Sequence, residues 1–103
     1  MAKDKSDTLA LGAGDLTLYA IHETWKRIQS ALTDGTLRTL DISGVEECDT
    51  SGVQLLLVTA DALRASGAGG TIRGTSSAVS EAVRRCGFSD SILAEQQDLP
   101  PKE

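Results

Sequence analysis

The chain's most chemically suggestive stretch is "CDTSG", where Asp49, Thr50, Ser51 and Gly52 follow Cys48 at the end of an apolar strand and the start of an apolar helix. Asp, Ser and Thr at a helix start accept hydrogen bonds from the free N–H groups there. Capping accounts for one such residue. It does not account for three in succession followed by glycine. A hydroxyl in that place is exposed at the edge of a sheet. A phosphoryl group on it would meet free N–H groups and the positive end of the helix dipole. Gly52, without a side chain, would let a partner approach the backbone closely.

Other candidates weigh less. His22 is the sole histidine and falls on the polar face of its helix, away from Trp25, so no Ser/His/Asp or Cys/His set can be built around it. "GAGD" and "GAGG" match neither GxGxxG nor GxxxxGK[ST] and read as turn and cap glycines, so no nucleotide or other cofactor is expected. Cys48 and Cys86 have no metal-ligand spacing, so no metal site is expected. They read as free, mostly buried thiols in a reducing compartment. Asp41, Glu46, Glu47 and Asp49 suggest a phospho-accepting aspartate of the receiver type. That design needs paired acids after the first strand and a lysine after a later one, and here the first strand ends in Gly12 and the last in Arg73 and Gly74.

The elements that must position this junction follow from periodicity. "TLAL" at Thr8 to Leu11 alternates as a strand. Ile21, Trp25, Ile28 and Leu32 make an apolar stripe at helical spacing, with Glu23 and Arg27 as an i,i+4 pair on the wet face. Thr36 to Ser43 reads as a strand with Leu40 and Ile42 inward, and Ser51 to about Ser66 as a helix apolar nearly all round. "TIRG" is a short strand. Ser76 or Ser77 opens a third helix with Ala78, Val79, Ala82, Val83 and Cys86 inward, Arg84 and Arg85 on its C-terminal dipole and Gly87 closing it. Phe88, Ile92 and Leu93 are expected to pack back as a last turn. Strands alternating with helices imply βαβ units and a mostly parallel sheet.

In bulk, the chain has 103 residues, 40% of them hydrophobic, a net charge of -5 and three aromatic residues, so the core must be aliphatic. The acidity argues against nucleic acid, whose phosphates need a basic surface. "MAKDKSDT" has no apolar segment of the signal-peptide kind, and the run Val53 to Leu63 is too short and too polar to span a bilayer. A cytoplasmic protein without membrane insertion is expected. We expect a flexible N-terminus over 1–7, one folded domain over 8–94 and a flexible tail over 95–103.

"LDISGVEECDTSGVQLLL" followed by "SGAGGTIRGTSSAVSEAVRRCGF" resembles the STAS domain family, the domain of sulfate transporters and anti-sigma factor antagonists. "GDLTLYAIHETWKRI" is similar to the family's entry into its first helix. The resemblance covers Leu9 to Leu93. It implies an α/β domain with a mixed, mostly parallel four-stranded sheet and three to four helices, with Trp25, Leu40, Ile42, Leu56, Val79 and Val83 in the core. It also implies a protein that is not an enzyme. Thr50 aligns with the hydroxyl residue that a partner kinase phosphorylates in the antagonists, Asp49 with the acid beside it, and Ser51 and Gly52 complete the motif. These four residues are the implied partner-binding site. The implied partner is an anti-sigma factor or serine/threonine kinase. The alternative is a constitutive accessory subunit of an ABC-type lipid transporter or of a chemotaxis signalling system.

Overall fold

The computed structural model describes residues 7–66, 70–89 and 92–93. Strands and helices alternate: β1 (Thr8–Ala10), α1 (Ile21–Thr33), β2 (Thr39–Asp41), α2 (Thr50–Ser66), β3 (Thr71–Arg73) and α3 (Ser77–Arg85). The expected loose ends at 1–7 and 95–103 lie, but for Asp7, outside the described residues.

The expected mixed, mostly parallel four-stranded sheet is met in part. Among the described residues the sheet has three strands in the order β1-β2-β3, all parallel. The strands are parallel because each is followed by a helix, and a helical crossover returns the chain to the same end of the sheet. Strand β2 is also shorter than the run Thr36 to Ser43. It pairs over Thr39 to Asp41, where the three-residue strands β1 and β3 lie on either side.

Leu9, Leu40 and Ile72 stand in register across the sheet and face the helices. Thr8, Thr39 and Thr71, with Ala10, Asp41 and Arg73, occupy the opposite face. Residues of all three helices pack in one core with Leu9, Leu40 and Ile72, so the helices share that side of the sheet. Accordingly α2 sits in the middle, touching α1, α3 and β3. That explains why α2 buries Val53, Leu55, Leu56, Ala60 and Leu63.

Leu40, Ile42, Leu56, Val79 and Val83 are buried as expected, and Trp25 is not. Trp25 is half-buried at the flank of the core. The centre of the α1 contact face runs through Thr24 and Ile28 instead. Thr24 is 0% exposed because its hydroxyl donates to the Asp15 carbonyl at 2.7 Å. That bond makes a polar residue acceptable in the core. The expected Glu23–Arg27 pair is also replaced. Arg27 bonds Asp15 at 3.0 Å, while Glu23 lies 3.8 Å from Lys26.

Helix α3 begins at Ser76, whose Oγ accepts from the Val79 N–H and donates to the Val45 carbonyl. Gly87, at φ +90°, ends it. Ile92 and Leu93 pack on the core as expected, whereas Phe88 stays exposed.

Candidate functional site

Two loops at the C-terminal ends of β1 and β2 run side by side. A single parallel bridge joins Leu16 to Cys48. The Ala13 carbonyl accepts the N–H groups of Glu46 and Glu47 at 2.9 and 3.0 Å, and the Leu16 carbonyl accepts that of Asp49 at 3.2 Å. The start of α2 is therefore bolted to the entry of α1. Asp49 adds a side-chain tie across the same gap, accepting the Leu18 N–H on Oδ2 at 2.7 Å.

Asp49 is the N-cap of α2. Its Oδ1 accepts from the Ser51 hydroxyl at 2.5 Å and from the Gly52 N–H at 3.2 Å. The Ser51 hydroxyl, then the N–H groups of Leu18, Gly52 and Ser51, hold the carboxyl below its usual pKa against a smaller opposing effect of burial. Thr50 is different. Its side chain is exposed, and its hydroxyl meets the Cys86 thiol at 4.0 Å. Among Asp49, Thr50 and Ser51, Thr50 alone leaves its polar group outside the cap.

Gly52 is buried. A Cβ on it would lie 2.2 Å from the Leu16 carbonyl oxygen and 2.9 Å from Cys48 Sγ. The expected opening for a partner is thus filled by the chain's own α1 entry loop. Asp41 also turns out to be local, its Oδ1 taking the Ser43 N–H and hydroxyl at 3.0 and 2.8 Å.

The domain has a second feature here that periodicity did not reveal. An open groove of about 470 Å³ runs between α1 and α2, with Ser51 at one end. Trp25 and His22 both line it, so His22 is exposed as expected but stands on the same side as Trp25. The signal was present in α2, which carries more apolar residues than one buried face requires.

A family model described as "Mlab, STAS domain" matches residues 2–95. The chain belongs to the STAS domain family. No curated protein and no solved structure matches it. STAS domains are in general non-catalytic and mediate protein interactions. Among the described residues of this STAS domain no group of three or more His, Cys, Asp or Glu is placed to hold a metal ion. No described helix is long and apolar enough to cross a membrane.

The cap of this STAS domain predicts a pH dependence. Because the folded pKa of Asp49 is depressed, its stabilisation is present above the unfolded value near 3.9 and is lost as pH falls through the folded value. Asp49→Asn keeps one acceptor and loses the charge and the tie to Leu18. It should cost about 1–2 kcal/mol at neutral pH. In thermal melts the gap to wild type should be widest above about pH 5 and close towards pH 3. A gap independent of pH would show that the carboxylate is not the stabilising group.

The STAS domain's thiols are unequal. Both are free, Cys48 buried and Cys86 partly buried against the edge of the core. Cys86 caps α3 beside the exposed Thr50, whereas Cys48 is bridged to Leu16 and packs against Gly52. Burial above all, then the Asp49 charge, pushes the Cys48 thiol up to about 11. The thiolate is the reactive form, so at pH 8 Cys48 presents only about one part in a thousand. Titration with an aromatic disulfide reagent should give one fast equivalent, from Cys86, and one slow. Two fast equivalents would contradict the buried placement of Cys48.

Proposed function

We propose that this STAS domain is a non-catalytic signalling module that binds a protein partner of the anti-sigma factor or serine/threonine kinase type through Asp49, Thr50 and Ser51, and that phosphorylation of Thr50 releases the partner. One observation supports the reading most. Thr50 is exposed at the start of α2 while the polar groups of Asp49 and Ser51 are consumed by the cap. A kinase reaching this junction meets one hydroxyl outside the cap, exposed and contacted by the Cys86 thiol, on the first residue of the helix. The free thiols fit action in the cytoplasm, a reducing compartment.

The second reading is a constitutive accessory subunit of an ABC-type lipid transporter or of a chemotaxis system. The description of the matching family model favours it. On that reading the same surface binds its partner permanently and Thr50 carries no phosphate.

The test takes the partner recovered by pull-down from the native cell and titrates it with wild type, Thr50→Ala and Thr50→Glu. The switch predicts that Thr50→Ala binds as wild type and that Thr50→Glu binds more weakly. Equal affinities for all three, with no phosphate on Thr50 in protein isolated from cells, would leave the accessory-subunit reading in its place.

A further inference from the structure

Thr50 faces the end of α3. Its hydroxyl meets the Cys86 thiol at 4.0 Å, and Cys86 is the C-cap of that helix. Arg85, the residue before Cys86, is the last of α3. A second observation puts its charge on the same side. The Arg85 guanidinium works against the upward push on the Cys48 thiol, two residues before Thr50. Arg85 therefore stands beside the start of α2.

Arg85 is loosely held there. It lies 3.7 Å from Glu81, one turn back on α3, and the two side chains are 67% and 63% exposed. Water screens an exposed i,i+4 pair of this kind, so it contributes little, and exchanging Glu81 for a stronger anion costs little. Of the other cations, Lys26, Arg27 and Arg64 are paired with acids of their own, and Arg73 lies on the other face of the sheet. Arg84 projects about a hundred degrees further round α3. The neighbouring acids oppose a phosphate on Thr50. Asp49 is adjacent, and Glu46 and Glu47 precede it in the same loop. A phosphoryl group there needs a cation. A guanidinium supplies two parallel N–H donors that match phosphoryl oxygens.

We propose that Arg85 receives the phosphate of Thr50: on phosphorylation its guanidinium leaves Glu81, pairs with the phosphoryl oxygens and ties the end of α3 to the start of α2. The inference rests on the reading of Thr50 as phospho-acceptor and adds what the phosphate does inside the domain. The phosphorylated junction then differs from the plain one in arrangement as well as in charge, with Glu81 released and α2 held to α3 by an ion pair.

Cys48 is a ligation point two residues before Thr50, so a synthetic segment 48–103 carrying phosphothreonine can be joined to a 1–47 thioester to give the full chain in one phosphorylated form. Phosphorus NMR against pH follows the second ionisation of the phosphate, which ordinarily falls at about pH 6. A nearby guanidinium favours the dianion and lowers that midpoint. In Arg85→Gln the midpoint should rise by about half a pH unit, the effect of a unit charge about 5 Å away in water. Arg85→Lys keeps the charge without the fork and should restore part of the shift. Arg73→Gln removes the same charge from the other face of the sheet and should leave the midpoint at the wild-type value. Thermal melts add a second readout. Arg85→Gln should lower the melting temperature of phosphorylated protein and leave that of plain protein unchanged, a dependence that a merely structural role for Arg85 does not produce. Equal midpoints in wild type and Arg85→Gln, an equal rise in Arg73→Gln, or the same change in melting temperature with and without phosphate would overturn the proposal. A rise in Arg84→Gln alone would overturn it too and assign the phosphate to Arg84. These measurements need neither partner nor kinase. Their failure leaves the Thr50 switch standing, and a Thr50 without phosphate in cells removes the switch without altering the midpoints.

Discussion

Gly52→Ala should lower the melting temperature by on the order of 15 °C, the largest effect of any single methyl group we expect in this domain. An alanine in the first turn of a helix ordinarily helps, by up to about 1 kcal/mol in propensity and unfolded-state entropy. Here the added carbon would stand 2.2 Å from the Leu16 carbonyl oxygen, 2.8 Å from Leu16 Cβ and 2.9 Å from Cys48 Sγ. None of the three is the free end of a flexible side chain. The carbonyl is main chain and already holds the Asp49 N–H. To make room, α2 must move away from the α1 entry loop, stretching the Asp49 bonds to Leu16 and Leu18. Overpacking of this kind costs about 1–3 kcal/mol and occasionally more. The broken ties add about 1 kcal/mol each. A net loss of about 3 kcal/mol is a large part of a small domain's typical total of roughly 5–15 kcal/mol. The control is Gly14→Ala, where an added Cβ meets nothing within 4 Å. It should change stability by no more than about 0.5 kcal/mol. A Gly52→Ala domain that melts with or above wild type would refute the close approach of Leu16.

Phosphorylation of Thr50 should weaken partner binding roughly 30- to 100-fold while leaving the fold intact. The group adds about -1.5 to -2 charge at neutral pH. Within the domain the terms are small. The α2 dipole returns about 0.3–1 kcal/mol, and Asp49 next to it opposes. At an interface they are not. Two negative charges about 5 Å from one partner carboxylate, at an effective dielectric near 20, cost on the order of 6 kcal/mol before screening. Salt and rearrangement reduce that to about 2–3 kcal/mol. Calorimetric titration of the phosphorylated and plain forms against the partner measures the loss, and a thermal melt measures the fold. Thr50→Glu, with less charge, should show part of the loss. Unchanged affinity on phosphorylation, or a melting temperature that falls with it, would remove the switch from this site.

Local interactions were legible in the sequence alone. The β-α alternation, a cap somewhere in Asp49 to Ser51, another at Ser76 or Ser77 and the Gly87 stop all depend on residues within about four positions of one another. Leu40, Val79 and Val83 could be placed inside for the same reason, since strand and helix periods decide which neighbours share a face.

Only the tertiary structure decided which side of each element matters. Trp25 and Thr24 are adjacent, and hydropathy favours burying Trp25. The Asp15 carbonyl, nine residues away, gives the Thr24 hydroxyl a partner and takes the central place for it. In sequence, Asp49 to Gly52 reads as a partner-binding site with Thr50 as phospho-acceptor and Gly52 as an opening for the partner. The Leu18 N–H, 31 residues distant, helps draw Asp49 into the cap, and Leu16 fills the space over Gly52, leaving Thr50 outward. The groove likewise exists only because α1 and α2 pack side by side. Such contacts follow from where the chain crosses itself, and no short-range pattern encodes that.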